Sequence, residues 1–600
     1  MSSLVFDIEA DGLDPTKIWC IVAQDITTNK IYTFEPDNID AGVDLLLAAE
    51  KLIGHNIIGY DIPAIEKLCK VKLSDKKIVD TLVMSRLFNP TREGGHGLEG
   101  WGYRLGYAKG DFKEFDAYSP EMLTYCVRDV ELNTKVYRSL NLEARNFSRQ
   151  SMDIEHEVYK IINQQRTNGF LLDLKFATML VADLNEQLHA AETEVHKTFM
   201  PKRIATELRP VFTKSGQLSK MAEIVGEDSK KKMRLRDDEF EMAKKDPTKI
   251  ITRVEHEPFN LGSRKQIGEY LIEFGWKPKA LTPTGQPIVD EGTLSRIKDI
   301  PEARIIARYL MLQKRIAQVS SWIKACEDDG RVRGFVNPNG TITGRMTHNS
   351  PNMGQVPAIK KDKKTGEYLW GLAGNYGTEC RKAWTVPEGK KLVGIDASGL
   401  ELRMLAHYMN DEAYTYEILN GDIHTSNQNL AGLESRDQAK TFIYALLYGA
   451  GDAKLGTVVG GSKRAGAELR QRFFDNLPAF KHLKERVGRA AKRGFIKGLD
   501  GRAIYVRSEH AALNTTLQGA GAVVMKVALM LFDQKIKEKG YDAKFVCNVH
   551  DEWQMEVAED QAEDVGKLGV EAIRDAGDYL NLRCPLDGEY KTGVAWHETH

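Results

Sequence analysis

Two kinds of hydrophobic spacing divide the chain. Over residues 1–145, short apolar runs such as LVFDIEA and IWCIVAQDI alternate with stretches of helical spacing, DIPAIEKLCK and SPEMLTYCVRDVELNTKVYRSL. This alternation predicts an α/β domain of strands and covering helices. From DIEHEVYKIINQQRTNGFLLD to about residue 325 the helical spacing takes over, in segments as long as ARIIARYLMLQKRIAQVSSWIKAC, and predicts an α-rich second region. Inside it, residues 201–253 lose apolar periodicity and read as a charged insertion. Residues 326–600 return to a mixture of strands, Gly-containing turns and helices, with no internal repeat and no low-complexity tract.

Length turns this pattern into a multidomain protein. Six hundred residues exceed what one hydrophobic core organises, so about three to five domains are expected. The net charge of -1 neither favours nor excludes a polyanionic partner, because binding depends on where the cations lie. Locally, the insertion holds fourteen Lys/Arg against nine Asp/Glu, which suits either a solvated surface or a basic face for nucleic acid or a protein partner. The seven cysteines, at 20, 69, 126, 326, 380, 547 and 584, form no Cys-x-x-Cys pair, and MSSLVFDIEA is no secretory leader. The expectation is a reducing cytoplasm and no structural zinc. No run approaches the roughly 18 uninterrupted apolar residues of a membrane span, so a soluble cytoplasmic protein is expected.

Candidate chemistry begins with acids. Asp7 and Glu9 lie two apart on a strand and project from one face, where like charges repel unless a divalent metal joins them. Taken alone, Asp-x-Glu also fits an ordinary solvent-facing strand. Downstream, HNIIGYD supplies Asn56 and Asp61, and YCVRD puts Tyr125 and Asp129 at i and i+4 on one helix face. The ordered set resembles the DEDD-type 3′→5′ exonucleases of the tyrosine subclass, whose motifs are Asp-x-Glu, Asn-x-x-x-(Tyr/Phe)-Asp and Tyr-x-x-x-Asp. That resemblance implies Asp7, Glu9, Asp61 and Asp129 as ligands of two ions about 3.5–4 Å apart, with Tyr125 orienting the attacking water. Asp80, in IVDTLVMSRL, reads as structural.

The C-terminal third carries three further stretches. GIDASGLELRML (394–405) reads as the end of a buried strand, a tight turn and the start of a helix. Ser398 and Glu401 fit a Ser-x-x-Glu capping box, which leaves Asp396 unexplained, since a charge ending an apolar strand costs several kcal/mol unless a cation meets it. FVCNVHDEWQMEV (545–557) reads as a hairpin with His550, Asp551 and Glu552 at its corner. Aspartates at two strand ends could converge on one metal pair. In RDQAKTFIYALLYGAG (436–451), Arg436, Lys440, Tyr444 and Tyr448 recur at steps of four and drift only about 40° each time, forming one helical stripe. Two cations followed by two aromatics suit a nucleoside triphosphate, and they also suit an amphipathic helix with snorkelling cations.

In this order the three stretches resemble motifs A, B and C of the family A (Pol I-like) DNA polymerases: Asp-x-Ser-x-x-Glu-Leu-Arg, Arg-x-x-x-Lys-x-x-x-(Phe/Tyr)-x-x-x-Tyr-Gly and Val-His-Asp-Glu. TITGRMTHNSPNMGQVP, GDIHTSNQ, IKGLDGRAIYVRSEHAALNTTLQGAG and a terminal WHETH resemble the replicative enzymes of T-seven-like short-tailed bacteriophages. The resemblance implies an α/β multidomain protein, with an RNase H-like exonuclease domain (1–145) followed by a right-hand polymerase. Its thumb would span 146–325 with the insertion at about 201–253, its palm 326–408 and 512–600, and its fingers 409–511.

At the polymerase site the resemblance implies Asp396, Ala397 and Asp551 as ligands of two Mg²⁺, with Mn²⁺ as a substitute, and two further ions at the exonuclease site. His424, Arg436 and Lys440 would hold the triphosphate. Tyr448 would lie beside the nascent base pair, and Glu401 would pack under the sugar with Tyr444. Arg345, Gln518 and His550 would contact the primer–template minor groove, and Glu552 has no defined role. The implied activity is template-directed dNTP addition with 3′→5′ proofreading. The implied partners are primer–template DNA, dNTPs, a processivity factor such as host thioredoxin at the insertion, a helicase–primase and a single-strand-binding protein, with no membrane. The competing reading is a DEDD exonuclease whose C-terminal half only grips DNA.

Overall fold

The computed structural model describes residues 2–600 apart from 229, 279 and 298. It resolves into two bodies, residues 1–174 with 321–600, and residues 175–320.

The first body opens with a five-stranded sheet in the order Ile31–Phe34, Ile18–Asp25, Ser3–Ala10, Lys51–Gly54, Lys77–Asp80. The first three strands are antiparallel and the last two join in parallel. SLVFDIEA is apolar on both sides because both sides are covered. Leu4, Phe6 and Ile8 enter one core with Ile21 and Leu52, whereas Val5 packs with Cys126 and Val130 of the Pro120–Glu143 helix. Strand alternation puts Asp7 and Glu9 on the Val5 side, facing the helix that carries Tyr125 and Asp129. Ser119 caps that helix by accepting the Met122 N–H at 3.1 Å, and Pro120 fills its first turn.

The Arg149–Asn168 helix belongs to the first body, although the helical region was expected to begin near 146. Ile154, Val158, Ile161 and Ile162 enter the large C-terminal core, while His156 Nε2 accepts the Asp80 N–H at 2.8 Å. Buried Glu155 meets Lys526 at 2.5 Å and Arg502 at 2.6 Å, and Arg502 also pairs with Asp500 at 2.7 Å.

The C-terminal part is built on a four-stranded antiparallel sheet ordered Ala543–Val549, Glu552–Ala558, Lys390–Ala397, Gly588–Gly593. The Ala512–Lys539 and Ala562–Tyr579 helices back it, sharing one core with helices from Leu400 to Ala491. Among the described residues, the helical segment around Ala512–Lys539 is the one long and apolar enough to cross a membrane, and its apolar side chains are buried in this core.

In the second body, long helical stretches such as 301–320 match the helical spacing, but the insertion differs from expectation. It forms a sheet ordered Ile251–Glu257, Lys202–Phe212, Leu218–Ile224, Lys232–Arg234, with the Asp237–Lys245 helix and a small core of Leu208, Ala222, Leu235, Ala243 and Ile251. Its strands carry charged residues on the exposed side, so few apolar positions remain to betray the period. Buried Arg253 and Glu239 complete the core as an ion pair, Nε to Oε1 2.8 Å.

Candidate active sites

Two strand ends meet at the edge of the C-terminal sheet. The Lys390–Ala397 strand pairs on both sides, bringing Asp396 opposite Glu552 and Glu589. His550 and Asp551 form the two-residue turn between strands, with His550 at φ 56°, a conformation costly for a side-chain-bearing residue and held here by paired flanks. The Ala397 N–H donates to the Asp551 carbonyl at 3.2 Å, closing the two ends onto each other.

The acids at this edge are not equivalent. Burial, then Glu552, Asp551 and Glu589, pushes Asp396 up to about 7. Burial also raises Asp551, against the opposing influence of nearby Arg345 and His550. Glu552 is held low despite its burial: His600 Nδ1 lies 2.6 Å from it, Trp596 donates at 2.7 Å and Arg381 stands 3.7 Å away. Glu552 is thus compensated by protein, whereas Asp396 stands among like charges and Asp551 is buried beside it, a carboxylate pair that a hard divalent cation fits.

The Arg436–Leu447 helix presents the expected stripe, with Tyr448 as its C-cap. Arg436 is held to Asp422 at 2.6 Å, His424 feels the positive field of Arg436 and Lys440, and the His424 and Tyr444 rings lie 6.2 Å apart. Tyr444 and Tyr448 stack at 6.5 Å. The capping box expected of Ser398 and Glu401 does not form. Gly399, at φ 58°, is the N-cap, so Glu401 falls one position too early to reach back. Glu401 instead accepts the Tyr448 hydroxyl at 2.8 and 2.9 Å and faces Arg345 at 3.4 Å, so the tyrosine it hydrogen-bonds is Tyr448. Arg345, His550 and Asp551 line one cavity of about 230 Å³ with Ala522 and Lys526, and Gln518 lies one helical turn before Ala522.

At the N-terminal sheet, Asp7, Glu9, Asp61 and Asp129 converge. Asp61 begins the Asp61–Cys69 helix and its Oδ1 accepts the Ile8 N–H at 3.1 Å. Burial and mutual repulsion push Glu9 up to about 8 and Asp7 well above its usual range, and burial brings Asp61 to about 7. Buried Asp129 has Lys109 Nζ at 3.1 Å while its Oδ1 has no partner among the described residues. Tyr125 lies under Lys109, 5.1 Å from ammonium to ring centre. This excess of buried carboxylate also fits divalent ions.

Cys126, whose sulfur lies within 4.8 Å of ligand oxygens of Asp7 and Glu9, was not singled out from sequence, nor was Lys109. The Cys126 position, between Tyr125 and Asp129, was its only signal. Asp80 is structural: it caps the Thr81–Phe88 helix and accepts from the N–H groups of Asn56 (3.0 Å) and Ile58 (3.1 Å).

With this geometry in place, comparison with known proteins is specific. Residues 230–598 match the family model for DNA polymerase family A. The DNA-directed DNA polymerases of Enterobacteria phage T3 and Escherichia phage T7 are each 34% identical to the chain, covering all of it and all of their own length. The POL domain of Pol1 from M. smegmatis, solved with DNA primer-template and dNTP, superposes with TM-score 0.75 at 18% identity, covering 100% of this chain and 96% of that one, a likeness of fold. The chain belongs to DNA polymerase family A. It is a DNA-directed DNA polymerase of the phage T7-like kind, a class of enzyme that works with divalent metal ions.

Proposed function

We propose that Asp396 and Asp551, with the Ala397 carbonyl, hold two Mg²⁺ that serve primer extension, and that Asp7, Glu9, Asp61 and Asp129 hold two more for 3′→5′ exonucleolysis. The observation that carries this reading is the Ala397–Asp551 backbone bond, because it brings the strand end that bears Asp396 against Asp551, a buried aspartate 155 positions further along the chain. Bound divalent ions supply charge neutralisation at the reacting phosphate and acidify the attacking oxygen. The chain supplies the rest. Arg436, Lys440 and His424 bind the triphosphate of the dNTP, Tyr448 bounds the nascent base pair, and Glu401 lies under the sugar, where a 2′-hydroxyl clashes. Arg345, Gln518 and His550 orient the primer terminus through minor-groove acceptors that are nearly the same in every correct pair. Tyr125 orients the water at the second site.

In domain terms, residues 1–145 act as the exonuclease, 146–325 as the thumb, 326–408 with 512–600 as the palm and 409–511 as the fingers. The insertion sheet is a docking face for a processivity partner, thioredoxin or another, and a helicase–primase and single-strand-binding protein complete the set. Primer extension tests the division of labour: Asp396→Asn abolishes incorporation and spares 3′ trimming, and Asp7→Ala with Glu9→Ala does the reverse. Loss of both activities in either variant refutes it.

A further inference from the structure

Residues 360–368 form a tight hairpin that none of the polymerase motifs includes. Lys361 pairs with Tyr368 in an antiparallel bridge, the Leu369 N–H donates to the Lys360 carbonyl at 2.8 Å, and the Asp362 N–H donates to the Glu367 carbonyl at 2.9 Å. Four of its first five residues are exposed lysines, at 360, 361, 363 and 364. The intervening Asp362 does not face them as a counterion alone: its Oδ1 accepts the N–H groups of Lys364 (2.8 Å) and Thr365 (2.9 Å), which hold its carboxyl below the usual range.

The hairpin is anchored at its foot and aimed at its tip. Tyr368 and Trp370 pack their rings against His597, at 6.1 and 5.9 Å, beside the C-terminal residues that hold Glu552. At the tip, Lys363 Nζ lies 3.7 Å from Asp437, the residue after Arg436. That exposed pair contributes little energy, and its value is positional. It puts the hairpin tip beside the first turn of the Arg436–Leu447 helix, at the cation end of the stripe, about two helical turns from Tyr444 and three from Tyr448.

We propose that this hairpin is a capture site for the polyphosphate of the incoming nucleotide, collecting the metal-chelated triphosphate and passing it to Arg436 and Lys440. The proposal rests on the triphosphate reading of that stripe. A row of like charges beside a cleft raises the local concentration of oppositely charged substrate, and salt screens the effect within about 8 Å at physiological ionic strength. A rigid foot keeps the charges beside the Arg436 end of that helix, where a free loop would disperse them. The tip's place at the phosphate end of the helix favours the nucleotide over single-stranded template, which would have to reach the base-pair end.

The test is the triple variant Lys361→Gln, Lys363→Gln, Lys364→Gln in the full-length protein, assayed for dNTP KM at saturating primer–template over a salt series. The expected result is a rise in KM of about three- to tenfold at low salt that vanishes near 0.3 M, with the Kd for primer–template unchanged. An unchanged KM overturns the proposal, and if affinity for long 5′ overhangs falls instead, the hairpin holds template. Lys440→Ala in parallel separates the two levels of inference. If Lys440→Ala raises KM and the triple variant does not, only the capture site falls. If Lys440→Ala also leaves KM unaltered, the triphosphate reading falls, and the capture site with it.

Discussion

The Tyr448 hydroxyl donates to Glu401, with both carboxylate oxygens within 2.9 Å. A side chain capping the Arg436–Leu447 helix thereby fixes an acid on the first turn of the helix that follows Asp396. Hydrogen bonds to a charged group contribute about 1.5–3 kcal/mol, less where solvent competes, as it does around half-exposed Tyr448. Tyr448→Phe frees Glu401 to rotate. Discrimination against ribonucleotides should fall by about tenfold, measured as the ratio of dNTP to NTP kcat/KM, and an unchanged ratio would separate Glu401 placement from sugar selection.

Tyr444 stands between His424 and Tyr448 on the same stripe. The resemblance to family A links a tyrosine at this position to ready acceptance of dideoxynucleotides. Tyr444→Phe should lower the dideoxy/deoxy incorporation ratio, read from chain termination on a primed template. An unaltered ratio contradicts the role.

The carboxylate clusters predict how stability depends on pH. Asp396 and Asp61 sit near 7 and Glu9 near 8, all raised above their unfolded values by burial first. A raised carboxyl pKa contributes stability that is present below the unfolded pKa and is lost as pH rises through the folded one. In chelator, Tm should therefore fall between about pH 5 and 8, and Mg²⁺ should restore more of it at pH 8 than at pH 6, because binding then displaces fewer protons. Differential scanning fluorimetry at the two pH values, with and without Mg²⁺, checks both signs. Equal Mg²⁺ shifts would contradict the account.

Glu155 is the buried anion between Lys526 and Arg502. Removing one member of a buried pair leaves uncompensated charge, so Glu155→Ala should cost about 3–5 kcal/mol in denaturant unfolding. Replacing Glu155 and Lys526 together by Met should recover a large part of that cost. A double variant no more stable than the single one contradicts the pairing energetics.

Much of the candidate site was legible because its residues break a local rule. Asp396 ends a run of apolar strand residues and Asp551 turns a hairpin, and burial raises both carboxyls after folding. The misreadings have equally local causes. Ser398 looked like an N-cap because sequence spacing does not reveal the left-handed Gly399 that moves the helix start by one residue. The insertion hid its sheet because strands such as Lys202–Phe212 bury only Leu208 and Pro210. Lys109 reaches Asp129 from a segment with no pattern of its own, so tertiary folding alone brings it to the site.

Metal binding at the sheet edge is the central claim, and counting Mn²⁺ by electron paramagnetic resonance tests it most directly. The protein would carry Asp7→Ala and Glu9→Ala to silence the other cluster, with a dideoxy-terminated primer–template and the next dNTP bound. The account predicts two tightly held ions in this complex and their loss on adding Asp396→Asn or Asp551→Asn. Undiminished Mn²⁺ occupancy in both of those variants would contradict it.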